Sequence, residues 1–266
     1  MAMAPPSTIA QARSLLEEAS SVVVLSGAGI STGSGIPDFR GPEGLWTQNP
    51  EAEMMSRFEV YVSNAEVRAK AWQHRAHSSI WEAEPNAAHR ALLALEASGR
   101  LSLLVTQNID GLHHRAGSSP EKIVEIHGNV RDVLCLSCND RTPMDLAVER
   151  VLAGEIDPRC TASLEGAVCG GILKSSTISF GQSLVASDLE RSFAAAESCD
   201  LFLALGTSLG VYPVAELPLI AERSGAKVII MNAEPTAMDA IAQIVIHDDL
   251  SLSLPALLDG LSKREA

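Results

Sequence analysis

Ser21-Val22-Val23-Val24-Leu25-Ser26-Gly27-Ala28-Gly29-Ile30-Ser31-Thr32-Gly33 decides the fold. The first six residues are a short β-branched run, the pattern of a parallel strand buried on both faces. Glycines follow at once. They let the backbone turn tightly and approach a pyrophosphate, whose charge is favoured at the next helix N-terminus. Alone, the turn is ambiguous. A dehydrogenase fingerprint wants a third glycine three residues after the second, where this chain has Thr32, and no strand ending in an acid follows about 20 residues on. A tight strand-to-helix connection with no ligand fits the same glycines.

The surroundings resolve the fold class. Ser7–Ala19 carries apolar residues at helical spacing with Ser7 placed to cap, and Asn86–Ser98 is a second helix with Asn86 as cap and Gly99 as terminator. Strands are expected at Leu101–Thr106, Ile123–Ile126, Cys199–Leu205, Lys227–Met231 and Ile244–Ile246, with helical segments at Ala186–Glu197 and Val214–Arg223. Alternating apolar strands and helices give an α/β fold, a doubly wound parallel Rossmann-like sheet. Two stretches interrupt it. Residues 41–85 read as a helical insertion, and residues 131–173, with four cysteines and several turn formers, as a small zinc-binding module. That leaves 1–40, 86–130 and 174–266 for a discontinuous sheet domain.

With 266 residues, 46% of them apolar, the chain can bury a core without covalent staples. The formal net charge of −13 argues against a nucleic-acid partner, which calls for a basic face, and suits lysine-rich partners. Apolar runs such as Val22–Leu25 and Leu201–Leu205 fall far short of the roughly 20 residues of a membrane span. Met1–Pro6 lacks the basic and apolar regions of a secretory signal, so a cytoplasmic location is expected.

Four of the five cysteines lie between residues 135 and 169, a clustering that reads as metal binding in a reducing compartment. Cys135-Leu136-Ser137-Cys138 is half of a tetrahedral zinc site, since two intervening residues let both sulfurs face one ion. Cys160 and Cys169 are separated by eight residues, so two unrelated pairs of small buried residues is the alternative. Four thiolates would close the coordination shell and make the zinc structural. Cys199, at the start of a core strand, reads as a buried free thiol.

Further motifs stand at or just past strand ends, where doubly wound sheets bind ligands. They are Ser34-Gly35-Ile36-Pro37-Asp38-Phe39-Arg40 with Gly44-Leu45-Trp46, then Thr106-Gln107-Asn108-Ile109-Asp110-Gly111-Leu112-His113, His127-Gly128-Asn129, Gly206-Thr207-Ser208 and Met231-Asn232. Together with Gly27-Ala28-Gly29-Ile30-Ser31, these resemble, in order, the motifs of the sirtuin family of NAD-dependent protein lysine deacylases.

The resemblance implies that the acyl-lysine oxygen attacks C1′ of the nicotinamide ribose and nicotinamide departs. His127 would then help a ribose hydroxyl attack the acyl carbon, and water would release lysine and acyl-ADP-ribose. Imidazole, with an ordinary pKa of about 6.5, suits that proton transfer. Asn108, Ile109 and Asp110 would position nicotinamide and ribose, with Gln107 on the ribose side. Gly27, Ala28, Gly29, Gly206, Thr207, Ser208 and Asn232 would touch the dinucleotide, and Asp38, Phe39 and Arg40 would form a loop closing over it. Capping of their own loops is the plainer reading of Asp38 and Asp110. The family also carries four cysteine ligands at Cys135, Cys138, Cys160 and Cys169.

An acyl-lysine peptide would add as a strand between Phe180-Gly181-Gln182 and Gly210-Val211-Tyr212. The family usually has an acid where this chain has Gln182, which removes one charge for peptide selection. Family members that remove succinyl groups carry a tyrosine and, three residues on, an arginine. Trp72 and Arg75 stand there in this chain. Trp72 would narrow the pocket and weaken carboxylate recognition, so acetyl is the expected acyl group, and Arg75 reads as a solvated charge on a helix.

Other readings compete. Gly206-Thr207-Ser208-Leu209-Gly210 matches the nucleophile elbow of α/β-hydrolases, with Asp239 and His247 in the order such an enzyme uses. Pro213 would break the helix that elbow needs. An ADP-ribosyltransferase of the same family would use the same cofactor cleavage. Among the other histidines, His74, His77 and His89 fit helix surface positions, His247 ends a strand, and His113 and His114 are at most supporting.

Overall fold

The computed structural model describes residues 5–39, 41 and 44–263. Its strands in chain order are β1 (Val22–Ser26), β2 (Leu101–Thr106), β3 (Ile123–Glu125), β4 (Gly128–Cys135), β5 (Arg141–Pro143) and β6 (Ser163–Leu164). Then come β7 (Ala167–Val168), β8 (Leu173–Thr177), β9 (Leu201–Leu205), β10 (Lys227–Met231) and β11 (Ile244–Ile246). Six of them form one parallel sheet in the order β11-β10-β9-β1-β2-β3.

β1 shows why the sheet is covered on both sides. Successive side chains on a strand point to opposite faces. Val22 and Val24 enter one core cluster with helices α1 (Pro6–Glu18), α6 (Ala87–Ala97) and α11 (Leu250–Leu258). Val23 and Leu25 enter another, with α9 (Ala186–Ser198) and α10 (Leu217–Arg223). All four are fully buried, each contributing about 1.5–3 kcal/mol.

Between β1 and α6 lie α2 (Leu45–Gln48), α3 (Pro50–Met55), α4 (Phe58–Ser63) and α5 (Ala65–Ala76), within the stretch expected to form a helical insertion. Its link to the rest includes an isolated parallel bridge between Arg57 and Phe180. A short α7 (Leu112–Ala116) follows β2, and α8 (Met144–Leu152) packs on a second, antiparallel sheet, β5-β4-β8. This sheet runs from Gly128 to Thr177, a few residues beyond the 131–173 stretch expected for the module. β4 hid in the sequence because its register shifts between Gly128 and Val133, so its burial has no period of two.

Two helix starts differ from expectation. α1 begins at Pro6 with Pro5 at its cap, one residue before Ser7, since proline at the first helical position is pre-set for the turn. Val214–Arg223 divides into one 3₁₀ turn, Val214–Glu216, and α10.

Candidate active site and metal centre

The chain passes from β1 to β2 and β3 on one side, then returns to place β9 on the other. The crevice beyond the carboxyl ends of β1 and β9 is therefore the topological switch point. Backbone pins the two turns together there. Gly27 N–H donates to Leu205 O (2.9 Å) and Gly29 N–H to Gly206 O (2.8 Å). A Cβ on Gly29 would lie 2.8 Å from Gly206 Cα, and Gly206 has φ +61°, so side chains fit at neither.

A polar network forms the floor. Asn108 Nδ2 donates to Gly27 O (3.1 Å) and to Ser31 Oγ (3.0 Å), and Ser31 Oγ donates to Asp110 Oδ2 (2.7 Å). Asp110 also accepts from Leu112 N–H (2.8 Å), the first N–H of α7, while its other oxygen stays on Ser31. Burial raises the Asp110 pKa against the opposing pull of these hydrogen bonds.

His89 joins this network, although its place on α6 suggested a surface position; it is fully buried. Asn86 N–H donates to its Nδ1 (3.4 Å), so the proton sits on Nε2, 3.4 Å from Ser31 Oγ. His113 packs against it as a tilted ring, centroids 5.0 Å apart, and bonds Ser26 Oγ through Nε2 (2.9 Å). Burial holds His89 down to about 4, and His113 well below its ordinary value, so both rings are neutral near pH 7. The sequence signal was the N-cap: Asn86 turns the first turn of α6 towards Ile30 O (2.8 Å) and Ser34 Oγ (3.0 Å).

His127 follows β3, and its Nδ1 lies 3.0 Å from Gln107 O. A carbonyl only accepts, so Nδ1 carries the hydrogen and Nε2 is the lone-pair nitrogen. Burial lowers the imidazole pKa, with the Gln107 carbonyl pulling the other way, which keeps the ring neutral near pH 7. Gln107 Nε2 crosses to Thr207 Oγ1 (2.8 Å), joining the ends of β2 and β9.

Gly27, Ala28, Gly29, Gln107, Asn108, Ile109, Asp110, Gly206, Thr207 and His127 thus gather at neighbouring strand ends. Their backbone, amide, hydroxyl and imidazole groups suit the ribose, phosphate and carboxamide of a dinucleotide. Asn232, past β10, donates to Glu234 O (2.7 Å). Asp38 caps its own turn at Gly41 N–H (3.0 Å), Phe39 is half-buried, and Arg40 lies outside the described residues. Phe180 is 41% exposed and Gly181 has φ +89°. Gln182 turns inward to accept from Ser179 N–H (2.9 Å), and Val211 is half-buried.

Ser208 is exposed, and the hydrolase triad does not assemble around it. His247 gives Nδ1 to Asn232 O (2.9 Å) and faces Asp239 with Nε2 (3.6 Å), so neither ring nitrogen serves a serine.

Trp72 and Arg75 depart from the sequence reading. Trp72, on α5, is fully buried in a core shared with the cysteine-bearing segment, against Val133, Met144, Leu173 and two of the clustered cysteines. It is packing there, not an open pocket wall. Arg75 is not a solvated charge. Its Nη2 donates to Ser175 Oγ (3.1 Å), its guanidinium lies 5.2 Å from the Trp72 ring centroid, and its buried Nη1 has no hydrogen-bond partner among the described residues. Burial lowers its pKa, and burial, with Arg75 beside it adding to the effect, brings neighbouring Lys174 down to about 7.

The ligand atoms of Cys135, Cys138, Cys160 and Cys169 all lie within 4.8 Å of one another. Cys135 and Cys169 sulfurs are 3.7 Å apart, as are those of Cys138 and Cys160. A disulfide needs about 2.0 Å, whereas a tetrahedron with Zn–S bonds of about 2.3 Å has edges of about 3.8 Å. The donor set fits zinc.

Comparison with known proteins agrees with this geometry. The Sir2 family profile matches residues 27–213, more than half of the chain. An NAD-dependent protein deacetylase 2 of Streptomyces coelicolor is 46% identical over 240 residues, 90% of this chain and 97% of that protein. An NAD-dependent protein deacetylase of Rhodopseudomonas palustris is 39% identical, covering 93% and 95%. A solved Sir2 complex with a p53 peptide and NAD+ superposes with TM-score 0.81 at 34% identity, covering 92% of this chain and 95% of that one. A Sir2 bound to acetylated peptide gives TM-score 0.82 at 32% identity, covering 94% and 97%. The chain belongs to the Sir2 family.

Proposed function

We propose that the chain removes acyl groups, chiefly acetyl, from protein lysine side chains with NAD as co-substrate, giving nicotinamide, acyl-ADP-ribose and free lysine. The observation that carries this reading is the lone-pair nitrogen of a neutral His127 at the switch-point crevice, in a chain whose relatives are named NAD-dependent protein deacetylases.

Bound NAD supplies a ribose carbon whose bond to nicotinamide yields to the acyl oxygen. His127 Nε2 accepts the proton of a ribose hydroxyl, with Gln107 O holding its ring in orientation. Asn108 and Asp110 position the nicotinamide end, and Ser31 fixes both side chains through hydrogen bonds. Gly27, Ala28, Gly29, Gly206, Thr207, Ser208 and Asn232 hold the rest of the dinucleotide, with Asp38, Phe39 and Arg40 closing over it. The peptide adds as a strand between Phe180-Gly181-Gln182 and Gly210-Val211-Tyr212.

Cys135, Cys138, Cys160 and Cys169 hold a structural zinc in a module of residues 131–173, and residues 41–85 form the insertion. Among the described residues no helix is long and apolar enough to cross a membrane, and we place the chain in the cytoplasm.

Mass spectrometry of acyl-lysine peptides incubated with and without NAD tests the reading. NAD-dependent loss of the acyl group with equal release of nicotinamide is expected. Transfer of ADP-ribose to the peptide without deacylation would make the chain an ADP-ribosyltransferase instead.

A further inference from the structure

Three aromatic rings run in series from the segment after the glycine turn to the loop after β8. The Phe39 and Trp46 ring centroids are 4.7 Å apart, and those of Trp46 and Phe180 are 5.5 Å apart, both pairs tilted. These are contact distances for aromatic pairs. Main-chain bonds fix both ends of the series to the helical insertion. Leu45 N–H donates to Asp38 O (2.7 Å) and Trp46 N–H to Phe39 O (3.0 Å). At the other end Phe180 N–H donates to Ser56 O (3.0 Å) and Phe58 N–H to Phe180 O (2.9 Å).

We infer that Trp46 is a positioning residue through which the acyl-lysine peptide and the dinucleotide strengthen each other's binding. This rests on the reading above, in which Phe39 lies on the cofactor side and Phe180 on the peptide side. Phe180 is 41% exposed, so a peptide strand laid on its loop covers the ring and restricts it. The restriction passes to Trp46 and then to Phe39, because each ring is a wall for the next. A dinucleotide arriving second finds Phe39 already ordered and loses less freedom on binding. Linkage makes the effect reciprocal, so the peptide gains by the same factor when the dinucleotide binds first. Trp46 touches neither ligand in this scheme.

Calorimetry on the full chain tests the coupling with two stable probes, ADP-ribose and an acetyl-lysine peptide. The Kd of each is measured alone and with the other saturating, for the wild type, Trp46→Phe and Trp46→Leu. The wild type is expected to show a coupling of at least about fivefold, equal in both directions. Trp46→Leu should reduce it to within about twofold of none while each Kd measured alone moves less than about threefold, and Trp46→Phe should keep most of it. Purely structural damage would weaken each ligand alone and spare the ratio. Phe180→Leu cuts the series at its far end and should lower the coupling at ADP-ribose, a ligand it does not touch. It serves as the test if Trp46→Leu does not fold. An unchanged ratio in these variants, or no coupling in the wild type, overturns the inference. A wild type that binds no ADP-ribose at all overturns the cofactor reading itself.

Discussion

The imidazole of His127 stands 3.0 Å from the main-chain carbonyl of Gln107, and through that bond the end of β2 sets the tautomer of a residue at the end of β3. The carbonyl is itself held by the sheet, since Gln107 N–H donates to Ser26 O (2.9 Å) as a continuation of the β1–β2 pairing. Three strand ends thus orient one nitrogen, and among the described residues no carboxylate is bonded to the ring to raise its basicity. A ring so placed is neutral rather than strongly basic, which suits the proposed role of accepting a hydroxyl proton near pH 7.

His127→Ala should lower kcat by about 10²–10⁴-fold with little change in ADP-ribose affinity, because a general base acts on the step and not on cofactor binding. The pH profile has a defined sign. Burial lowers the imidazole pKa, and only the neutral ring accepts a proton, so the rate is present above the His127 pKa and lost as pH falls through it. The limb should lie below the ordinary value of about 6.5. A His127 limb centred above 7, by NMR titration of the ring, would contradict the assignment.

Replacing His89 by Phe keeps a ring against His113 and removes the donor 3.4 Å from Ser31 Oγ. Asp110 and Asn108 then lose part of their anchoring, and kcat/KM for NAD should fall roughly fivefold, the worth of a hydrogen bond near 1 kcal/mol. Stability carries a second signature. The His89 pKa drops to about 4 in the fold, so the unfolded chain binds more protons between about 6.5 and 4. Its contribution is present above pH 6.5 and is lost as pH falls through that window. Asp110 and Glu125, raised by burial, act in the opposite sense, so the informative quantity is the melting-temperature difference between wild type and His89→Phe from pH 7 to 5. That difference should shrink or reverse as pH falls; a constant offset would mean His89 does not titrate with folding.

Purified protein should hold about one zinc per chain, and Cys169→Ser should lose both metal and stability, since ligand binding here is folding free energy. Trp72 gives a local readout, because it is buried in the same cluster as Cys135 and Cys160. Chelation should red-shift the tryptophan emission as that cluster opens. Unchanged fluorescence and melting temperature after the metal is removed would separate the cysteines from the module's core.

Much of the fold was legible because β1, β2, β9 and β10 are largely apolar runs ending in glycine or amide motifs, and their bounds hardly depend on distant partners. β4 and β8 were not, since their pairing begins at Gly128–Thr177 and then shifts register. The strand-end motifs placed Asn108, Asp110 and His127 at one crevice. They said nothing of His89, whose face of α6 is decided by the Asn86 cap gripping Ile30 and Ser34. Arg75 was misjudged for a related reason. Residues 65–76 carry enough charge to resemble a solvated helix, yet α5 packs on α8. Only tertiary contact shows that Arg68 is buried and Arg75 half-buried, with its Nη1 enclosed.

Arg75 decides the last prediction. A half-buried guanidinium beside Lys174 and Tyr61, with Nη1 buried and unpartnered and no carboxylate bonded to it among the described residues, is costly, and perturbed groups of this kind cluster at functional sites. Trp72 Nε1, on the same helix three residues before, is likewise buried and unpartnered. An acyl chain ending in a carboxylate could satisfy Arg75 through a charge-assisted bond, whereas an acetyl group reaches for neither donor. Trp72 is fully enclosed, however, and Ser175 already takes Nη2 at 3.1 Å, so the longer acyl group must open this corner to enter. Acetyl is therefore the preferred group, and succinyl a weak one that depends on Arg75. Arg75→Met should leave kcat/KM for an acetyl peptide within about threefold, cut that for the succinyl version by more than tenfold, and leave the melting temperature level or raised, because a half-buried charge with one unpartnered donor has been removed. Equal losses with both peptides and a lower melting temperature would show that the guanidinium is held for structure and reads no substrate.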